Sequence, residues 1–176
     1  KDLDYKYTYS EENIGLCSAI NKAANLSSQK YILYSHDDMY FCPQWDDVLY
    51  KEIENLKNQQ FYLSGVMIQK KNGHINFDCG QTYNDFDEQK LLNNYTKINC
   101  YDQQGSHFAP HLVSKELWYK VNGFSEEFNP GIASDPDFNM KLWNCGVRIF
   151  KGLSNFKVYH FGSVTTRKDR KSTRLN

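Results

Sequence analysis

The sequence has no net charge, because 21 lysine and arginine side chains balance 21 aspartate and glutamate side chains. General nucleic-acid binders carry a basic excess, so this balance argues against a nucleic-acid partner. The chain also lacks any apolar run approaching the roughly 20 residues needed to cross a bilayer, and no signal peptide is visible. We therefore predict a protein without a transmembrane segment, and we leave peripheral contact with a membrane face open.

The five cysteines are widely spaced and odd in number, and no Cys-x-x-Cys pair occurs. This pattern argues against a disulfide framework or a structural zinc site and fits reduced thiols, so we predict a cytoplasmic protein. The chain has no initiator methionine and no internal repeat, and we expect it to be N-terminally incomplete. Its 176 residues suit one domain, predicted over 1–165, followed by a basic, mobile tail over 166–176.

The most informative local feature is a pair of adjacent carboxylates, Asp37 and Asp38, which follows the apolar stretch 31–35. The nearest cationic side chains in sequence are Lys30 and Lys51. Adjacent acids at the end of a buried strand cost free energy unless a cation or hydrogen-bond donors compensate them. Such oxygens bind hard divalent cations, which often keep phosphates as further ligands. The pair favours a metal–phosphate site, and the alternative is a solvated polar turn.

Apolar periodicity predicts helices and strands in alternation along the chain. Helices are predicted over 11–26, from Pro43 to Leu56, from a Ser114 cap to Val121 and from Asp135 to Gly146, and strands over 31–35, 61–69, 111–113, 147–150 and 156–161. The polar stretch from 74 to about 106 is expected to hold short strands and loops. The alternation predicts an α/β sheet flanked by helices, and ligands of such sheets bind at the carboxyl ends of the strands.

A second acidic group, Asp135 and Asp137, flanks Pro136. Asp135 is a suitable N-cap and Pro136 a suitable first residue, so the motif can simply start a helix. The alternative is a catalytic base held in a fixed direction, although a helix N-terminus is expected to lower the pKa of Asp135. His160 ends the last predicted strand, where it is either structural or completes a divalent-metal site.

The order of these features resembles the family 2 glycosyltransferases of the GT-A fold. The resemblance is carried by Asn13-Ile14-Gly15 with Ala19, Asn21 and Ala24, by the run from Tyr31 to Asp38, by the run from Val121 to Phe128, and by the run from Gly131 to Gly146. It covers about residues 5–165. The family's first strand, the helix after it and the second strand would precede Tyr5, and Asn122 and Ser134 stand where the family usually has Gly and Glu.

The resemblance implies a GT-A-like mixed sheet flanked by helices. It also implies transfer of a sugar, with inversion, from a nucleotide-diphosphate sugar to a hydroxyl of a saccharide or other acceptor, with Mg²⁺ or Mn²⁺ as cofactor. The roles it implies are metal binding by Asp38 and His160, donor binding by Asp37, Asn13 and Gly15, and catalysis by Asp135 with support from Asp137.

Two other classes of function stay open from the residues alone. A nucleotidyltransferase also uses paired acids and a metal, but it normally needs a glycine-rich, basic phosphate loop near its first strand. A non-catalytic domain that binds carbohydrate or a partner protein would suit the high aromatic content of 15%.

Overall fold

The computed structural model describes residues 5–104 and 108–162, so the predicted tail over 166–176 lies outside the described residues. Helices and strands alternate through most of the described chain. In chain order they are α1 (Leu16–Ala24), β1 (Tyr31–Tyr34), β2 (Met39–Phe41), α2 (Trp45–Leu56), β3 (Phe61–Gln69), β4 (Ile75–Asn76), α3 (Glu88–Asn94), β5 (Gln103–Gln104), β6 (His111–Ser114), α4 (Lys115–Lys120), a short 3-10 helix (Glu126–Phe128), α5 (Ser134–Asn144) and β7 (Ile149–His160).

The described strands form one seven-stranded sheet in the order β1-β6-β3-β7-β2, with β4 beside β3 and β5 beside β7. β6 is antiparallel to both β1 and β3, whereas β4 is parallel to β3. β2 is antiparallel to β7, with Met39 opposite His160. The mixed sheet with its helices confirms the predicted α/β class.

β3 spans the predicted range, 61–69, and is buried along nearly its whole length. Its near-continuous apolar run is typical of a central strand that is covered on both faces. None of the helices in the described part of the chain could cross a membrane, since the longest, α2, has 12 residues against the roughly 20 required.

The chain divides into two compact units. The first consists of Lys1–Tyr34, Leu56–Ser64 and Gln104–Lys151, and the second of Ser35–Asn55, Gly65–Gln103 and Gly152–Asn176. The prediction of a single domain over 1–165 stays a prediction.

The core of the first unit is an aromatic cluster. Trp118, Phe124 and Phe138 are buried, with ring centroids 5.0–5.5 Å apart. The side chain of Asn21 connects α1 to this cluster through two hydrogen bonds with the backbone of Phe124. Asn21 Nδ2 donates to the carbonyl of Phe124, and Asn21 Oδ1 accepts from the backbone amide of Phe124, both at 2.9 Å. A Cβ at Gly123 would lie 2.3 Å from Oδ1 of Asn21, so only glycine allows this close approach.

The core of the second unit contains Cys42, Ile68, Cys79, Leu91 and Tyr159. The hydroxyl of Tyr159 accepts from the backbone amide of Cys79 at 2.9 Å and donates to the carbonyl of Gly80. These bonds fasten the loop before α3 to β7. All five cysteines of the chain are free thiols.

Two predicted elements differ from the structure. Residues 88–94, predicted as strand or loop, form α3, because the side chain of Asp87 caps the helix by accepting from the amide of Lys90 at 2.9 Å. The two strands predicted over 147–150 and 156–161 are one strand, β7. The polar residues around Ser154 led to the prediction of a break in this strand. In the structure the backbone amide of Ser154 donates a hydrogen bond to Asp102 Oδ1 at 2.9 Å, and the strand continues through this position.

Two helices also begin later than predicted. α1 begins at Leu16 instead of residue 11, because Gly15 has a φ of 80° and cannot continue a helix towards the N-terminus. α2 begins at Trp45 instead of Pro43, since Gln44 has a φ of 68°.

Candidate active site

The pairing of β2 with β7 brings Asp38 and His160 together in the second unit. Asp38 directly precedes β2, and His160 lies opposite Met39 at the end of β7. His160 Nε2 lies 3.1 Å from Asp38 Oδ2, and the backbone amide of Phe161 donates to the carbonyl of Asp38 at 3.0 Å. Two residues that the sequence assigns to one metal ion are therefore adjacent.

His36 completes this arrangement, which we call the His–Asp–His group (His36, Asp38 and His160). His36 Nδ1 lies 4.0 Å from Asp38 Oδ1. His36 was not predicted as a ligand from the sequence, although its His-x-Asp spacing from Asp38 was a signal for one. Asp37, between them, is exposed and is not a member of the group.

The donor atoms of the His–Asp–His group fit a divalent cation. All three lie within 4.8 Å of one another. Metal–ligand bonds of about 2.1 Å place neighbouring ligands of an octahedral ion about 3 Å apart, so small side-chain rotations suffice. Burial lowers the pKa of His36, an effect that Asp38 opposes and that His160 reinforces. A neutral imidazole keeps the lone pair that a metal requires.

Asp135 lies in the first unit, in the first turn of α5. The helix begins one residue earlier than predicted, at Ser134, after Ala133 in the left-handed conformation with a φ of 67°. Ser134 Oγ donates to the carbonyl of Gly131 at 2.8 Å. The prediction of Asp135 as the N-cap is therefore wrong, because the preceding loop already turns the chain into the helix.

The side chain of Asp135 is only 18% exposed and approaches the fully buried His111, with 3.9 Å between Oδ1 and Nε2. Burial raises the pKa of Asp135 from 3.8 to about 6. The expected lowering of this pKa is thus wrong in sign, because loss of hydration outweighs the favourable helix N-terminus. A carboxylate with a pKa close to the working pH is well suited to general-base catalysis.

The surroundings of Asp135 explain this loss of hydration. The ring of His111 stacks on Phe138, with centroids 5.4 Å apart, and lies 4.7 Å from the ring of Tyr62. Burial raises the pKa of the Tyr62 hydroxyl well above its usual range, and the charge of Asp135 adds to this effect. Aromatic side chains from β3, β6 and α5 thus replace water beside the carboxylate.

Asp137 has a different environment from Asp135, although both lie in the first turn of α5. Ser125 Oγ donates to Asp137 Oδ2 at 2.6 Å. Lys141 Nζ in turn donates to Ser125 Oγ at 3.1 Å and to the carbonyl of Gly123 at 2.7 Å. The carboxylate of Asp137 thus fastens α5 to the loop that follows α4.

Asn13 and Gly15 form the turn that leads into α1. Asn13 Oδ1 accepts from the amide of Gly15 at 3.0 Å. A Cβ at Gly15 would lie 2.3 Å from Asn129 Oδ1, the atom that accepts from the amide of Cys17 at 3.0 Å. The local structure thus explains both residue types, and their predicted contact with a donor nucleotide stays a prediction.

Comparisons with known proteins point to one family and one fold. The family described as "Glycosyl transferase family 2" matches residues 1–112. No curated protein matches the chain. A crystal structure of GalNAc-T7 with UDP, GalNAc and Mn²⁺ is similar, with a TM-score of 0.62 and 12% sequence identity over 86% of this chain. The chain spans 31% of that protein, and at this identity the likeness establishes the fold alone.

Proposed function

The chain belongs to glycosyl transferase family 2 and has the GT-A fold, and from this premise we propose that it is a metal-dependent, inverting glycosyltransferase. Its donor is a nucleotide-diphosphate sugar, and its acceptor is a hydroxyl of a saccharide or another molecule. The observation that carries the proposal is the His–Asp–His group, a donor set for a divalent cation in a chain of this family.

The His–Asp–His group is the proposed metal site. When bound there, a divalent cation would neutralise the donor diphosphate and stabilise the charge that develops on the leaving nucleotide. Two imidazole nitrogens and one carboxylate favour Mn²⁺ over Mg²⁺, because Mg²⁺ prefers oxygen ligands and keeps its waters. The Mn²⁺ and UDP in the similar GalNAc-T7 structure support this choice.

Asp135 is the proposed general base. Its Oδ atoms take the proton from the acceptor hydroxyl, whose oxygen then bonds to the sugar carbon that releases the nucleotide diphosphate. The raised pKa, about 6, leaves the carboxylate mostly ionised at neutral pH and still basic enough to hold the proton. Asp137 positions this base through its bond with Ser125.

The remaining assignments concern the donor. Asp37 is exposed beside the His–Asp–His group, so its carboxylate is accessible to a ribose hydroxyl. Asn13 and Gly15 are proposed as further donor contacts on the basis of the family resemblance.

Variants that separate metal binding from proton transfer test the proposal. Mn²⁺ binding is measured by calorimetry, and turnover by release of nucleoside diphosphate from a panel of nucleotide sugars. Asp38→Asn is expected to lose Mn²⁺ binding and turnover together, whereas Asp135→Asn retains Mn²⁺ binding and loses turnover. His74→Gln is the matched control, because His74 lies in the second unit but outside the His–Asp–His group.

The outcomes discriminate between the assignments. Wild-type turnover in both aspartate variants would show that these roles are wrong. Binding of a saccharide with no dependence on Mn²⁺ or nucleotide, and no turnover of any donor, would favour a non-catalytic carbohydrate-binding domain instead.

A further inference from the structure

A cavity of about 260 Å³ adjoins the His–Asp–His group within the second unit, and we call it the cationic cavity. It is lined by residues 69–72 and by Gln81, Phe161 and Gly162. β3 ends at Gln69 and β7 ends at His160, so the cavity lies at the carboxyl ends of two strands that are neighbours in the sheet. This edge is where α/β sheets bind their ligands.

The wall of the cavity is continuous with the proposed metal site. Phe161 and Gly162 directly follow His160, and the amide of Phe161 donates to the carbonyl of Asp38 at 3.0 Å. Gly162 has a φ of 92°, and a Cβ there would lie 3.2 Å from Gln69 Nε2. The same backbone segment therefore fixes a metal ligand on one side and the cavity wall on the other.

The lining is rich in cations and hydrogen-bond donors and contains no carboxylate. Lys70 Nζ lies 3.0 Å from Asp78 Oδ2, which holds this ammonium in place from outside the cavity. Lys71 is exposed and has no ion-pair partner within residues 5–104 and 108–162. The cavity therefore has an uncompensated positive charge, which favours an anionic ligand.

The uncharged lining residues suit a sugar ring. The amides of Gln69, Asn72 and Gln81 can donate to and accept from hydroxyl groups. Phe161 contributes an apolar side chain to the same wall, and its ring packs against Phe86 and Tyr159, with centroids 5.0 and 5.5 Å away. The volume lies below the roughly 300 Å³ at which pockets for drug-sized ligands begin, so it suits one sugar unit.

We propose that the cationic cavity binds an acidic sugar unit of the acceptor, one that carries a phosphate ester or a carboxylate. Lys70 and Lys71 bind the oxyanion, and the amide side chains bind the ring hydroxyls. This inference rests on the proposed function, because an acceptor exists only if the protein transfers a sugar. It adds that the acceptor is anionic and that its acidic unit lies beside the metal site.

The test is an NMR titration of the full chain with glucose 6-phosphate, glucuronate, glucose and inorganic phosphate, without metal or nucleotide. At least one of the two acidic sugars is expected to shift the backbone amides of residues 69–72 and 161–162 and to bind at least tenfold more tightly than glucose. Tighter binding of glucose 6-phosphate would assign a phosphate ester to the acceptor, and tighter binding of glucuronate would assign a carboxylate.

Matched charge variants make the assignment specific. The double variant Lys70→Gln/Lys71→Gln is expected to lose at least tenfold in affinity for the acidic sugar. Lys51→Gln/Lys57→Gln removes the same charge from exposed positions outside the cavity and is expected to bind as the wild type does.

Three results would overturn the inference. They are equal affinity for glucose and both acidic sugars, equal affinity for inorganic phosphate and the acidic sugars, and the same loss in both double variants. In a separate competition experiment, a fourth result, displacement of the acidic sugar by UDP with Mn²⁺, would also overturn it, because the cavity would then hold the donor. Because the titration uses neither donor nor metal, its failure is distinguishable from failure of the proposed transferase activity.

Discussion

Replacing Asp135 with asparagine is expected to stabilise the folded protein at neutral pH while it removes the proposed base. The side chain is mostly buried beside His111 and Tyr62, and burial raises its pKa from 3.8 to about 6. Asparagine has nearly the shape of the protonated acid but never ionises. The variant therefore avoids the cost of a buried charge.

The magnitude follows from the difference between the two pKa values. The folded protein keeps the Asp135 proton up to about pH 6, whereas the unfolded chain loses it near pH 4. Stability of the wild type thus falls as the pH rises through this window and is lowest above it. About two pKa units at about 1.4 kcal/mol each correspond to a cost of about 3 kcal/mol at pH 8.

Urea unfolding of the wild type and Asp135→Asn at pH 4, 5, 6, 7 and 8 measures this effect. The free energy of unfolding of the variant relative to the wild type is expected to increase by about 2–3 kcal/mol from pH 4 to pH 8. A constant difference over this range would refute the argument that burial raises the pKa of Asp135. Added stability with undiminished turnover would preserve the burial argument and reject Asp135 as the base.

Asp85→Asn provides a control in which the pKa is shifted the other way. Bonds from the hydroxyl of Thr82 and from the amides of Gln81 and Thr82 lower the pKa of Asp85 to about 2. The stability that its charge confers is present above pH 4 and is lost only as the pH falls towards 2. The difference between Asp85→Asn and the wild type is therefore expected to stay nearly constant from pH 5 to pH 8.

Three further predictions concern other parts of the structure. Gly15→Ala is expected to cost about 1–3 kcal/mol in urea unfolding, because it places a Cβ 2.3 Å from Asn129 Oδ1 at a φ of 80°. Ser125→Ala is expected to cost about 1–3 kcal/mol in the same assay, since it removes the donor to the Asp137 carboxylate. Mn²⁺ at a hundred times its dissociation constant is expected to stabilise the wild type by about 2.7 kcal/mol in thermal unfolding and to have no effect on Asp38→Asn.

The fold was predictable where local pattern and tertiary structure agree. The near-continuous apolar run of β3 predicted its range, 61–69, because a central strand that is covered on both faces is apolar along most of its length. α3 was missed because Leu91 is its one buried residue, so it has almost no apolar periodicity. β7 was predicted as two strands because its middle is polar. The hydrogen bond that this middle makes goes to Asp102, 52 residues away in sequence, and no local pattern reveals it.

In the candidate site, too, the sequence predicted which residues matter, whereas only the structure gives their neighbours. Asp38 and His160 were predicted as metal ligands from residue type and position at strand ends, and the β2–β7 pairing places His160 Nε2 3.1 Å from Asp38 Oδ2. The sequence places Asp135 and Asp137 equally at the start of α5. The two aspartates differ in the residues around them, which come from other parts of the chain. Asp135 lies beside His111 and its aromatic neighbours, which exclude water, whereas the carboxylate of Asp137 accepts a hydrogen bond from Ser125.

This difference between the two aspartates bears directly on the proposed chemistry. A base must accept a proton, and burial raises the affinity of Asp135 for one. The carboxylate of Asp137 instead accepts a hydrogen bond from Ser125 Oγ at 2.6 Å, so it anchors α5 to the loop after α4. Burial of Asp135 costs stability at the pH at which the carboxylate is ionised. The proposed role of Asp135 as the base accounts for this cost, because active sites often trade stability for activity, and Asp135→Asn is therefore expected to stabilise the protein and inactivate it together.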